Sequence, residues 1–286
     1  MEIRWVRRGK KNAAVVSEVE KEGVRYLAFP LLEESGLVSH GFATRLGGVS
    51  QGKFAQMNLS FTRGDNPDHV RENYRRMAKA LEVDMERMAL AYQTHTTNVR
   101  RVTKEDGGKG ILRERDYRDV DGLITDEPGM TLVTFFADCV PLYFLDPVHR
   151  AIGLSHSGWR GTVRRMGRAT LEAMGEAFGT RPKDVLACVG PSICRDCFEV
   201  GREVAEEFQK EFSRKYWDEL FYEKENGKFQ LDLWRSNEII LQEAGVLPEH
   251  IQVTDICTRC NPQYLFSHRF AGEERGNLAA FLCLKE

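Results

Sequence analysis

Apolar positions along the chain recur at two periods, and the switches between them predict an α/β (α+β) fold. Val70, Tyr74, Met77 and Leu81 recur at helical spacing. Asn66-Pro67-Asp68, just ahead of them, supplies a side-chain cap, a proline suited to the first helical position and an acid near the positive helix end. The spacing predicts a second helix over 161–178, with Val163, Met166, Thr170, Met174 and Phe178 facing inward, and further helices over 202–212 and 233–244. Apolar or alternating runs predict strands at 37–44, 88–92, 122–125, 132–139, 142–145, 151–156, 185–189, 251–256 and 278–284. Helices and strands mix without strict alternation, so mixed β-sheets flanked by helices fit better than a regular Rossmann array. No Pro/Ser-rich linker interrupts the pattern. Residues 1–286 therefore read as a single domain, with 103–119 and 213–229 as loops within it.

Composition narrows the classes. A formal net charge of -2 gives no global field that would favour nucleic acid. The opening Met1-Glu2-Ile3-Arg4-Trp5-Val6-Arg7-Arg8 lacks an apolar run behind its charges and does not read as a signal peptide. The longest apolar stretch, Met130 to Leu145, contains Asp138, Cys139 and Pro141 and is too short to span a bilayer. The expectation is a cytoplasmic protein with neither membrane nor nucleic acid as a partner. Seven cysteines, an odd number, favour free thiols, metal ligands or catalysis over a disulfide framework. Gly47-Gly48 and Gly107-Gly108 are too sparse for a dinucleotide fingerprint or a phosphate loop.

The chemistry concentrates between Leu132 and His156. Two apolar runs flank Asp146-Pro147-Val148-His149, which suits a type I turn. A hairpin centred on the Pro147–Val148 bond pairs Asp146 with His149 and carries Cys139 opposite His156. Opposed residues share a face, so a thiolate and an imidazole could bind one ion. The bland alternative is a small buried cysteine beside a hydrogen-bonded core histidine. Asp138, next to Cys139, would point to the other face of a strand, which argues against its shuttling protons.

A catalytic zinc needs a third protein ligand and an open position. His95 in Gln93-Thr94-His95-Thr96 follows a short apolar strand and is the best candidate; His40 in Ser39-His40-Gly41-Phe42 is a rival. Ser157-Gly158-Trp159-Arg160-Gly161 reads as a strand-to-helix turn, where backbone N–H groups favour anions. Arg160 is the phosphate candidate there, while Arg164, Arg165 and Arg168 read better as a solvated basic face. Arg45 and Asn58 could contact a ligand or cap their own loop. Cys194-x-x-Cys197 and Cys257-x-x-Cys260 would make a four-thiolate zinc site if they met, although they stand far apart in sequence; a disulfide or plain thiols are the alternatives.

These blocks also carry a resemblance. His40-Gly41-Phe42-Ala43-Thr44-Arg45, Gly47-Gly48-Val49-Ser50, Asn58-Leu59-Ser60 and Gln93-Thr94-His95 recur in order with Ala137-Asp138-Cys139-Val140-Pro141. His156-Ser157-Gly158-Trp159-Arg160-Gly161, Gly190-Pro191-Ser192-Ile193 and Cys257-Thr258 complete the set. The chain resembles the laccase-domain (YfiH-like) family of bacterial purine nucleoside phosphorylases. That resemblance implies a single α/β domain and a His-Cys-His zinc site, which by motif position falls on His95, Cys139 and His156. It also implies phosphorolysis of adenosine, inosine, guanosine and methylthioadenosine, deamination of adenosine, and purine nucleosides and phosphate as partners. Other descriptions of the family give copper polyphenol oxidase or peptidoglycan-precursor editing. The chain departs from the family at Ser157, where a small residue such as Ala is usual, and at Thr96, where Gly is usual; Thr96 could narrow the pocket.

Overall fold

The computed structural model describes residues 3–8 and 15–286. Two six-stranded sheets lie face to face. The first runs, in spatial order, Ser17–Lys21, Val24–Ala28, Val38–Ala43, Leu278–Leu284, Thr131–Phe136 and Met88–Leu90. The second runs Ile251–Val253, Leu186–Val189, Val140–Asp146, Ala151–Ser157, Gly122–Thr125 and Val99–Arg101. Both contain parallel and antiparallel pairs. A small sheet of Glu199–Val200, Phe229–Leu231 and Phe221–Glu223 stands apart. Among the described residues, no helix is long and apolar enough to cross a membrane.

The central strands are apolar on both faces because each face meets a different layer. Tyr143 and Leu145 point into the core between the sheets, where they meet Leu132, Phe136, Leu154, Leu278, Ala280 and Leu282. Leu142 and Phe144, one residue out of phase, pack outward under the helices Met166–Phe178 and Leu233–Glu243. On the far side Val133, Ala279 and Phe281 pack beneath the helix Pro67–Leu81, whose inner stripe is Val70, Tyr74, Met77 and Leu81. That helix starts where expected, with the Asn66 side chain accepting from Asp68 N–H. Full burial of each of these large apolar side chains contributes about 1.5–3 kcal/mol.

Three readings are corrected. The hairpin pairs Asp146 with Ala151 and Pro141 with His156, so Cys139 is not opposite His156. The Asp146 carboxylate accepts from Val148 N–H and His149 N–H, and Arg150 takes a left-handed φ of 51°, which keeps residues 147–150 outside the ladder. The slip is two residues, so it preserves the face on which His156 points. The expected helix over 161–178 is two helices, Trp159–Val163 and Met166–Phe178. It breaks at Arg165, which takes φ 58° while its guanidinium pairs with Glu211 and Glu243. The stretch 213–229 is more than a loop: it holds the short helix Trp217–Leu220, the strand Phe221–Glu223 and the first residue of Phe229–Leu231.

Candidate metal centre and cavity

Three segments meet at one end of the paired sheets. Leaving the first sheet at Phe136, the chain crosses to the second and re-enters a strand at Val140. Residues 137–139 are therefore a bend, and Asp138 (φ 90°) turns toward the cavity rather than to the far side of a strand. The Asp138 carbonyl accepts from Ile193 N–H, and its carboxylate accepts from the Thr258 hydroxyl and Arg269 N–H, both at 2.6 Å. Those bonds hold the crossing in its tight turn and present Cys139.

His156 comes from the end of Ala151–Ser157, and its Nδ1 donates to Asp121 Oδ1 at 2.8 Å. Asp121 is buried, and it does more than orient one imidazole. Its two oxygens also accept from three successive backbone N–H groups, Thr94 (3.0 Å), His95 (3.1 Å) and Thr96 (3.0 Å), and from the Thr96 hydroxyl (3.1 Å). The loop wraps this single carboxylate with His95 in the left-handed region at φ 65°. Side-chain identity alone gave no hint of Asp121, because most of its partners are backbone groups.

The ligand atoms offered by His95, Cys139 and His156 all lie within 4.8 Å of one another. The imidazoles of His95 and His156 stand nearly edge to face, 5.0 Å between centroids. Burial by itself would push the Cys139 thiol up, but the neighbouring His156 and His95 outweigh it and bring it to about 6. Burial would likewise lower His156, yet Cys139 and Asp121 raise it to about 9. The pair is thus poised as thiolate and imidazolium, and exchanging that proton for a cation satisfies the same charges. One thiolate and two imidazoles are a donor set that zinc or copper accepts. The backbone also leaves room: a Cβ at Gly158 would stand 2.9 Å from Cys139 Sγ and 3.1 Å from His95 Cδ2.

The trio lines a cavity of about 650 Å³. Aromatic residues form much of its wall, among them Phe61, Tyr92, Phe135, Trp159 and Phe198. Arg269, Arg275 and His268 supply cationic or titratable groups, and Asp138 is its sole carboxylate among the described residues. Arg275 donates through Nη1 to Gly276 O and Asn277 Oδ1, while its Nε is buried with no acceptor.

The other sequence candidates lie elsewhere. Arg45 is not in the lining; its Nε and Nη1 donate to the carbonyls of Ala55 and Pro262, and it stacks 4.6 Å over Phe266. Asn58, also outside the lining, donates to Ser60 O and Asp65 and accepts from Ser60 N–H and Asn277 N–H. Arg160 is exposed and stacks 4.3 Å over Trp159. The rival His40 sits in the core, where its Nε2 accepts from Phe29 N–H at 2.8 Å. Sequence reasoning passed over Arg269 and Arg275; both follow the second CxxC pair, in a stretch without periodic signal.

A family model described as multi-copper polyphenol oxidoreductase laccase matches residues 39–285. The purine nucleoside phosphorylase YlmD of Bacillus subtilis (strain 168) is 35% identical over 250 residues, covering 86% of this chain and 88% of that protein. A protein named adenosine deaminase RL5, from an unknown prokaryotic organism, is 33% identical over 237 residues, 82% of this chain and 90% of its own length. The crystal structure of YlmD from Geobacillus stearothermophilus superposes with a TM-score of 0.86 at 32% identity, covering 96% of this chain and 100% of that one.

Proposed function

The chain belongs to the family described as multi-copper polyphenol oxidoreductase laccase, and we propose that it is a zinc-dependent purine nucleoside phosphorylase that also deaminates adenosine. The observation that carries this reading is the convergence of His95, Cys139 and His156 at a cavity that Arg275 also lines. The names of relatives, purine nucleoside phosphorylase and adenosine deaminase, support the reaction classes. Adenosine, inosine, guanosine and methylthioadenosine are the substrates to test.

His95, Cys139 and His156 would hold the ion, and zinc in such a three-ligand site would supply Lewis acidity. Asp121 keeps the His156 proton on Nδ1, so that the Nε2 lone pair stays free for the ion. The same carboxylate fixes the His95 loop, so both imidazoles share one anchor. Arg275 is the proposed phosphate ligand, since it brings a guanidinium to the lining of the cavity that holds the trio. Tyr92, Phe135 and Phe198 offer faces on which a purine can stack. Asp138 already accepts at both oxygens from Thr258 and Arg269, which suits it to positioning Cys139 better than to carrying protons.

The test is a chromatographic panel of the four nucleosides with and without phosphate, comparing wild type with His95→Ala. Free base with ribose 1-phosphate, lost in the variant, is the expected result for phosphorolysis; inosine from adenosine marks deamination. The family's description as a multi-copper polyphenol oxidoreductase favours a second reading, copper-dependent polyphenol oxidase. Seven histidines in the chain are few for a multicopper cluster, and among the described residues only His95, His156 and His268 of them line the cavity. Oxygen uptake on phenols by protein that carries copper when purified without added metal, with no phosphate-dependent base release, would favour the oxidase instead.

A further inference from the structure

The two CxxC pairs meet. The strands Leu186–Val189 and Ile251–Val253 are parallel neighbours, so the chain leaves both at the same end of the sheet. A further parallel bridge joins Ser192 to Cys257 just beyond them. Each exit leads directly into a CxxC turn, and this pairing brings together cysteines that stand far apart in sequence. The sulfurs of Cys194, Cys197, Cys257 and Cys260 all lie within 4.8 Å of one another, with Cys197 and Cys260 3.5 Å apart. Cys194, Cys197 and Cys257 are buried and Cys260 is half-buried.

We propose that these four cysteines form a structural zinc site, separate from the proposed catalytic ion. Tetrahedral Zn–S bonds of about 2.3 Å put sulfurs about 3.8 Å apart, which a cluster with one pair at 3.5 Å and every pair within 4.8 Å accommodates. A disulfide would need a sulfur pair at about 2.05 Å, whereas all four cysteines are free and Cys197 and Cys260 stand 3.5 Å apart. Packing as small hydrophobes does not account for the surroundings either. Arg8 Nε points at Cys260 Sγ (3.4 Å), Arg259 Nη1 at Cys197 Sγ (3.5 Å) and Cys194 N–H at Cys257 Sγ (3.3 Å). Cations and backbone donors aimed at sulfur suit thiolates. On binding, four thiols release four protons to give a complex of charge −2, and the guanidinium groups of Arg8 and Arg259 offset that charge.

The position gives the site its purpose. Ile193 and Phe198 bracket the first CxxC turn, and both line the cavity. Thr258, inside the second, donates to Asp138 next to Cys139. The zinc would clamp the wall of the cavity and one support of the Cys139 bend, outside the reacting groups.

The full-length chain, purified under reducing conditions without chelator, is analysed for metal alongside His95→Ala/Cys139→Ala and Cys194→Ser/Cys257→Ser double variants. The expected result is one equivalent of zinc retained by the His95→Ala/Cys139→Ala protein, and one equivalent fewer in the Cys194→Ser/Cys257→Ser protein than in wild type. This readout is independent of nucleoside turnover, so failure of the proposed function leaves it intact. Because the cysteine variant could misfold, the His95→Ala/Cys139→Ala protein is also titrated with a thiol-specific mercurial while zinc release is followed with a colorimetric chelator. One zinc should leave as the four clustered thiols react, and Co(II) replacing it should show an intense tetrathiolate spectrum. No retained metal, iron in place of zinc, or a Cys197–Cys260 disulfide in the reduced preparation would overturn the proposal.

Discussion

Replacing Asp121 by Asn tests whether one carboxylate holds the metal centre together. The exchange keeps the side chain's shape, removes its charge and turns one acceptor oxygen into an NH2 group. If the NH2 takes the place of Oδ2, it confronts the N–H groups of Thr94 and Thr96 and leaves two backbone donors without an acceptor. If it takes the place of Oδ1, it confronts His95 N–H and the His156 Nδ1. His156 must then move its proton to Nε2, which removes the lone pair that nitrogen needs to hold the ion. Each buried donor left unpaired costs about 1–3 kcal/mol, so two of them should cost the chelated protein about 2–6 kcal/mol in urea unfolding. Loss of a partner that orients a ligand commonly lowers metal affinity about 10–100-fold, equivalent to about 1.4–2.8 kcal/mol. Competition with a chromophoric chelator measures that part separately. Stability within about 0.5 kcal/mol of wild type, together with unchanged metal affinity, would refute the claim that Asp121 anchors both imidazoles.

Gly158→Ala places a methyl group 2.9 Å from Cys139 Sγ without requiring an unusual backbone angle. Metal affinity should fall at least about tenfold while the metal-free fold loses no more than the ~1–3 kcal/mol of ordinary overpacking; equal affinity in the chelator competition would show that the close approach is idle. Arg275→Gln should raise the KM for phosphate about 10–100-fold, as loss of a charge-assisted bond does, whereas Arg160→Gln, on the exposed face of Trp159, should leave it within about twofold; initial rates across a phosphate series decide between them. His40 should act on stability alone. Burial, reinforced by Lys285, lowers it from 6.5 to about 4, so the fold favours its neutral form. Its contribution is intact above pH 6.5 and is lost as pH falls through about 4, reaching about 3 kcal/mol. Unfolding measured across that range should slope less in His40→Gln, and parallel slopes would count against the assignment.

How far the molecule is legible from its sequence depends on the reach of the interaction that decides each feature. The Asn66 cap and the helix behind it are local, and the observed helix Pro67–Leu81 begins and ends where periodicity and capping place it. The strands Gly122–Thr125 and Leu278–Leu284 are as plain, since a run bounded by turns needs no partner to be read. The hairpin register is decided by the Asp146 side chain and the left-handed Arg150, a competition within six residues that turn statistics do not resolve. The helix break at Arg165 depends on Glu211 and Glu243, which lie on other helices. The small sheet escapes pattern reading because its strands are two or three residues long. At the site, the thiol and imidazole groups declare themselves by chemical type. Asp121 and Arg275 do not, because their importance lies in which atoms surround them: a carboxylate ringed by the N–H groups of a distant loop, and a guanidinium Nε buried without an acceptor. The residues that could react are therefore visible from composition and motif, while those that position them emerge only when the two sheets are laid against each other. A substitution at Asp121 should consequently impair the centre as surely as one at a ligand, although nothing in its own stretch of chain announces it.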